Sequence, residues 1–125
     1  MNKKIVSTDK APGAIGPYSQ AVRVGDKLFT SGQLPMDPVS GELLTEIKAA
    51  TGRCLENVKA ILESEGFSMQ DIIKTTVFMK NMDDFASMNE VYATYFTVNP
   101  PARSAVQVAK LPKDAVVEIE VIASK

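Results

Sequence analysis

One stretch decides how this chain is organised: Asn99-Pro100-Pro101-Ala102-Arg103-Ser104-Ala105-Val106-Gln107-Val108. Its consecutive prolines exclude a helix, because each fixes φ and lacks an N–H donor. The residues after them alternate as in a strand, with Arg103, Ala105 and Gln107 on one face. An arginine held at the start of a strand suits a carboxylate, since its planar guanidinium donates two parallel hydrogen bonds. A surface arginine in an ordinary salt bridge is the commoner explanation of the same pattern.

The size and composition of the chain predict one globular domain over residues 1–125. A length of 125 residues suits a single core, and a hydrophobic content of 45% excludes a disordered chain. No apolar run approaches the ~20 residues of a membrane-spanning helix. Because the first nine residues carry a basic pair without an apolar signal core behind it, we expect a cytoplasmic protein with no membrane partner.

The absence of histidine excludes more functions than any other feature of the composition. It removes the Ser-His-Asp triad, the Cys-His pair and imidazole metal ligands, so acid–base chemistry falls to Asp, Glu, Tyr or Lys. The single cysteine, Cys54, excludes an internal disulfide and a cysteine zinc cluster, and we expect it to be a buried apolar residue. No carboxylate cluster has metal-ligand spacing, and a net charge of −1 predicts no nucleic-acid partner.

Periodicity and turn residues predict the element order β-β-β-α-β-α-β-β. The predicted strands cover residues 5–8, 18–24, 27–32, 71–80, 103–108 and 115–123. The predicted helices cover residues 45–65 and 84–96, with Gly66 as the left-handed cap of the first and Asp83 as the N-cap of the second. This order indicates an α+β fold, a mixed six-stranded sheet with both helices on one face.

The other face of that sheet needs a cover that the chain does not supply. It carries apolar residues such as Phe78, Val116 and Ile122 together with charged ones. Self-association is the simplest cover, so we expect a homo-oligomer.

Two acidic residues in the last strand are candidates for chemistry. Glu118 and Glu120 share a face about 6.6 Å apart, and paired carboxylates raise one pKa so that the group can activate water. A solvated strand face explains the same alternation. Only a short turn separates this strand from the arginine strand, so we expect the two strands to lie near each other and to bring Arg103 and Glu118 into one site.

Smaller signals surround these residues. Tyr18 follows a rigid Gly-Pro kink and either closes a pocket or lies in the core with its hydroxyl at the surface. Ser31 and Gly32 end a strand, where glycine either lets a ligand approach the backbone or forms an ordinary turn.

Taken together, the motifs resemble the YjgF/RidA family, the reactive-intermediate (enamine/imine) deaminases also labelled endoribonuclease L-PSP. They span nearly the whole chain, and no single one is specific. The motifs are Gly16-Pro17-Tyr18-Ser19-Gln20-Ala21, Thr30-Ser31-Gly32-Gln33-Leu34-Pro35, Glu56-Asn57-Val58-Lys59-Ala60-Ile61-Leu62, Lys74-Thr75-Thr76-Val77-Phe78, Asp84-Phe85, Asn89-Glu90-Val91-Tyr92, Pro101-Ala102-Arg103-Ser104, Leu111-Pro112-Lys113-Asp114 and Val117-Glu118-Ile119-Glu120-Val121-Ile122-Ala123.

The resemblance implies a chorismate-mutase-like fold and a homotrimer, with a central barrel of sheets and clefts between subunits. It also implies cofactor-free hydrolysis of 2-aminoacrylate and related 2-imino acids to 2-keto acids and ammonia. By motif, Arg103 matches the arginine that clamps the substrate carboxylate, and Glu118 matches the residue that holds the attacking water. The motifs likewise place three further elements at the cleft, namely Tyr18, the Ser31–Gly32 wall and Asn89.

The chain departs from the family pattern at Ala105, where many deaminase members carry cysteine. Thiol-based regulation is therefore not expected, whereas the deaminase chemistry needs only carboxylate binding and delivery of water. The leading hypothesis is a hydrolase of imino acids. The alternatives are a non-catalytic sensor of small carboxylates, a ribonuclease or translation inhibitor, which the lack of histidine and of a basic face disfavours, and a chaperone-like surface.

Overall fold

A computed structural model describes residues 2–125 and contains the predicted elements in the predicted order. The strands are β1 (Lys3–Val6), β2 (Ala21–Val24), β3 (Lys27–Thr30), β4 (Ile72–Met79), β5 (Ala102–Gln107) and β6 (Val117–Ser124). The helices are α1 (Ile47–Ser64) and α2 (Phe85–Tyr95). Short 3₁₀ turns precede β4, α2 and β6.

The strands form one mixed sheet in the order β1-β2-β3-β6-β4-β5. All neighbouring pairs are antiparallel except β4 and β5, which run parallel across the crossover helix α2. The C-terminal strand β6 therefore lies in the middle of the sheet, and β5 forms one edge. The expected α+β class with a six-stranded mixed sheet is confirmed.

One face of the sheet packs against both helices and forms the core. Alternate residues of β6, from Val117 to Ala123, are almost fully buried there, together with Leu55, Ile61 and Leu62 of α1. Cys54 of α1 is also fully buried, and burial raises the pKa of its thiol well above the usual range. The thiol therefore stays uncharged and packs as a small apolar side chain. The expectation for this cysteine is confirmed.

The helix ends agree with the prediction in one case and not in the other. Gly66 follows α1 with φ +77°, the left-handed conformation of a C-terminal glycine. The prediction of Asp83 as the cap of α2 is wrong. A 3₁₀ turn, Met82–Asp84, precedes the helix, and Asn81 caps that turn by accepting a hydrogen bond from the Asp83 N–H. The Asn81 oxygen satisfies a free donor of the 3₁₀ turn, so the turn leads into the helix, and α2 itself begins at Phe85, one residue after the predicted start.

The opposite face of the sheet carries apolar side chains that neither helix covers. Register places Ile5, Val22, Phe29 and Ile122 in one row across four strands. Ile5 and Phe29 are each about half exposed. Glu118 and Glu120 lie on this same face, because they pair with Phe78 and Thr76 rather than with the buried residues of β4.

Candidate active site

A cavity of about 920 Å³ opens beside the middle of β6. Its polar side includes Ser31, Gly32, Glu118 and Glu120, and its walls are formed by the loop before β2 and the loop after β3. The lining residues are Pro12, Gly13, Ala14, Ile15, Tyr18, Gln20, Ser31, Gly32, Gln33, Leu34, Met36, Asp37, Pro38, Gly41, Leu43, Pro112, Lys113, Glu118 and Glu120. The cavity therefore collects four of the predicted site residues: Tyr18, Ser31, Gly32 and Glu118.

Gly32 is present because Glu118 occupies the space that a side chain would need. A Cβ atom on Gly32 would lie 2.6 Å from Cδ and 2.8 Å from Oε2 of Glu118. Gly32 comes between Thr30, the end of β3, and Gln33, which exchanges both backbone hydrogen bonds with Ile119. This pairing holds the Gly32 backbone against the Glu118 carboxylate and leaves the carboxylate facing the cavity.

The surroundings of Glu118 favour its protonated form. Its side chain is half-buried, and this desolvation raises the pKa of the carboxyl group. The Glu120 carboxylate on the same face raises the pKa further by charge repulsion. A raised pKa makes the carboxylate a stronger base toward water, and a larger fraction of the group carries a proton to donate than in an ordinary surface glutamate.

Tyr18 and Ser31 line the same cavity. The Ser31 hydroxyl donates a 2.6 Å hydrogen bond to the Ser19 carbonyl, so it holds the loop that carries Tyr18. Tyr18 is 52% exposed, and its ring packs beside Gly16. The core position considered for Tyr18 is excluded by this exposure.

Arg103 lies on the helix side of the edge strand β5. Its guanidinium donates a 2.7 Å hydrogen bond to the Asn89 side chain of α2 and lies 4.7 Å from the centre of the Tyr92 ring and 5.3 Å from that of Phe85. The guanidinium also donates to the Tyr92 hydroxyl. A guanidinium has five N–H donors, so donors remain for an anion. Aromatic rings and an amide thus orient a cation at the rim of the sheet.

The expectation that the arginine and glutamate strands bring Arg103 and Glu118 into one site is wrong within a single chain. Strand β4 lies between β5 and β6. Arg103 pairs with Thr75, which is buried under α2, whereas Glu118 pairs with Phe78 on the opposite face. Because a one-residue change in register turns a side chain to the other face, Arg103 and Asn89 are separated from the cavity by the sheet itself.

The sequence matches the family model described as endoribonuclease L-PSP over residues 8–125. The chain belongs to this family. The resemblance to YjgF/RidA proteins is thereby confirmed, since the two names denote the same family.

Relatives in the endoribonuclease L-PSP family cover almost the whole chain. A RutC family protein of Pyrococcus horikoshii is 55% identical over 98% of both chains. The 2-iminobutanoate/2-iminopropanoate deaminase of Escherichia coli is 49% identical over 96% of both. The crystal structure of E. coli TdcF with bound serine superposes with a TM-score of 0.95, at 50% identity and 98% coverage of each chain.

Sequence reasoning left two buried amides of this family member unassigned, although both stand in quoted motifs. Asn57 of α1 donates to the carbonyl groups of Leu34 and Met36, at 3.1 and 3.0 Å, and so fixes the cavity wall after β3. Gln20 is 4% exposed and holds the loop before β2. The sequence did contain a signal for both: an uncharged polar residue stands among apolar ones. Such a residue indicates a buried amide that hydrogen-bonds to the backbone, because a buried amide needs partners.

Among residues 2–125, no group of three or more potential metal ligands lies close together, and no helix is long and apolar enough to cross a membrane.

Proposed function

We propose that this protein is a cofactor-free deaminase that hydrolyses 2-aminoacrylate and related 2-imino acids to 2-keto acids and ammonia. The observation that carries the proposal is Glu118, a half-buried carboxyl group of raised pKa held against Gly32 in a large cavity. Two relatives about half identical to this chain, from E. coli and Salmonella typhimurium, are named 2-iminobutanoate/2-iminopropanoate deaminase.

The chemistry requires a water molecule and one group that moves protons. The enamine form of the substrate first tautomerises to the imine, whose C2 carbon is electron-poor. Glu118 takes a proton from water as the oxygen bonds to C2, and it passes that proton to the nitrogen, which gives a carbinolamine. A second proton then moves from the carbinolamine hydroxyl through Glu118 to the nitrogen, as the C–N bond breaks and the C2–oxygen double bond forms. The products are a 2-keto acid and ammonia, so one water is consumed and no electrons are transferred. A carboxyl group of raised pKa suits both steps.

Arg103 supplies the carboxylate receptor, and we propose that it reaches the cavity of a neighbouring copy. The open sheet face leaves apolar side chains uncovered, and β5 is an edge strand with Arg103 at its start. A homotrimer with clefts between subunits, as the family resemblance implies, covers this face and places Arg103 and Asn89 of one copy opposite Glu118 of the next. Tyr18, Ser31 and Gly32 then form the wall beside the substrate.

The direct test is the release of ammonia and pyruvate from a 2-aminoacrylate pool that a dehydratase or lyase generates in the cuvette. The wild-type protein is expected to accelerate release, whereas Glu118→Gln and Arg103→Ala each lose at least about 100-fold in kcat/KM. Circular dichroism and sedimentation check that both variants fold and assemble. An Arg103→Ala or Glu118→Gln protein as fast as the wild type removes the proposed mechanism.

A mixing experiment tests whether the site is shared between copies. Arg103→Ala and Glu118→Ala chains are unfolded together and refolded as a random mixture. If each site takes the arginine from one copy and the glutamate from another, about a quarter of the sites contain both residues, and about a quarter of wild-type activity returns. Each variant refolded alone is the control. No recovery in a mixture shown to contain hybrids contradicts the shared site.

A second candidate function is the binding of small carboxylates without turnover. The relative crystallised with bound serine favours it, since serine carries the same α-carboxylate as the proposed substrate. Saturable binding of serine or a 2-keto acid by calorimetry, with no acceleration of ammonia release at any pH between 6 and 9, identifies a sensor instead of an enzyme.

A further inference from the structure

We propose that Gln20 is a positioning residue for the candidate active site: its buried amide latches the wall of residues 12–18, and through that wall it positions Tyr18. The expected effect on kcat/KM rests on the proposed function. The structural part, that Gln20 holds the wall, rests only on the geometry of the loop.

The Gln20 side chain is tied to three residues of the loop. Its Oε1 accepts a 2.7 Å hydrogen bond from the Thr8 N–H. Its Nε2 donates toward the carbonyl groups of Thr8, Ala11 and Pro12, at 3.0, 3.2 and 2.8 Å. The two N–H groups, shared among three acceptors, use the full donor capacity of the amide, and its oxygen accepts from Thr8, so all the hydrogen bonds of this side chain go to the loop.

Beyond this latch the wall has little other support. In the described chain, no hydrogen bond ties residues 13–15 to any other part. Ile15 is 80% exposed, so packing does not hold this segment either. The next restraint is the turn in which the Tyr18 N–H donates to the Gly16 carbonyl at 2.8 Å. That turn lies within the wall, so among residues 2–125 hydrogen bonds hold the wall to the rest of the chain at its two ends only: Gln20 holds Pro12, and Ser31 holds Ser19, the residue after Tyr18.

The same residue connects this wall to the segment after β3 that carries Gly32. The Gln20 carbonyl accepts a 2.8 Å hydrogen bond from the Ser31 N–H, and the adjacent Ser19 carbonyl accepts from the Ser31 hydroxyl. The side chain of Gln20 thus holds the wall, and its backbone holds Ser31, the residue before Gly32. Loss of the side-chain amide is expected to free the wall, whereas the backbone bond to Ser31 remains and keeps Gly32 in place.

The test compares Gln20→Met and Gln20→Glu with the wild-type protein. Methionine keeps the length of the side chain and removes every donor, whereas glutamate keeps the acceptor and turns a negative charge toward three carbonyl groups. Ile61→Val, a fully buried change in α1 away from the cavity, is the control for a general loss of stability.

Hydrogen exchange reads the latch without any reaction. The Thr8 amide, which loses its acceptor, is expected to exchange about ten-fold faster in Gln20→Met, and the Tyr18 amide, which lies in the turn of the wall, about ten-fold faster in both Gln20 variants. Amides of β3 are expected to exchange at the wild-type rate. The Ile61→Val protein is expected to show no change confined to this loop. Wild-type exchange of the Thr8 and Tyr18 amides in a folded Gln20→Met protein overturns the latch.

A double-mutant cycle with Tyr18→Ala measures whether the effect of Gln20 on kcat/KM passes through Tyr18. If Gln20 acts through the wall, the double variant loses no more kcat/KM than the more damaged single variant, whereas independent roles give losses that multiply. Multiplying losses overturn the positioning role. Should the wild-type protein release no ammonia, the proposed function fails while the exchange result still decides the latch.

Discussion

Replacing Gly32 with alanine tests whether the position of Glu118, and not merely its presence, supports catalysis. The added Cβ would lie 2.6 Å from Cδ and 2.9 Å from Cγ of Glu118. Carbon atoms pack at about 3.5 Å or more, so the carboxyl group has to move by about 1 Å. A displacement of this size at a reacting group costs about 100-fold in rate.

The same change is expected to leave the fold nearly intact. Gly32 is not among the glycines with positive φ, so alanine adopts its backbone conformation without strain. The atoms in the way belong to the end of a flexible side chain, which rotates toward the cavity. We therefore expect a thermal midpoint within a few degrees of the wild type, since a substitution of this kind shifts stability by about 1 kcal/mol or less.

The assay is the initial rate of ammonia release across substrate concentration, measured beside a thermal melt. Gly52→Ala is the matched control, because its Cβ meets only Val91, at an ordinary contact distance of 3.9 Å, inside a helix where alanine is favoured. The control is expected to keep wild-type rates. A folded Gly32→Ala protein with an unchanged kcat/KM refutes the argument that Gly32 exists to place Glu118.

Three further predictions concern the charged groups. Glu120→Gln removes the neighbouring charge that raises the pKa of Glu118, so the acid limb of the kcat/KM profile moves to lower pH; an unmoved limb contradicts the coupling. Glu118→Gln is expected to melt at a higher temperature than the wild type at pH 7. The Glu118 carboxyl binds its proton more tightly in the folded wild type than in the unfolded chain, so the stability of the wild type falls as pH rises through the raised pKa. Glutamine does not titrate, so the higher melting temperature of the variant disappears in acid. Equal midpoints at pH 7 contradict the prediction. Asn89→Ala frees the Arg103 guanidinium and is expected to raise KM about ten-fold, with kcat less affected; saturation kinetics measure the split.

Local patterns in the sequence were sufficient for the elements and their faces. The alternation in β6 separates Val117 and Ile119, which are fully buried, from Glu118 and Glu120, because side chains of a strand point to opposite sides in turn. The left-handed Gly66 was likewise predictable, since glycine adopts that conformation without steric cost. The motifs identified the family because they recur in one order along the whole chain.

The sequence by itself determined the α+β class, the family and the acidic residue of the candidate site. Only the tertiary structure decided that β4 separates β5 from β6, that Arg103 and Glu118 lie on opposite faces of the sheet, and that Gln20 holds the cavity wall. Periodicity records which way a side chain points within its own strand. It contains no information on which strands become neighbours, because that order depends on long-range pairing and on the crossover through α2.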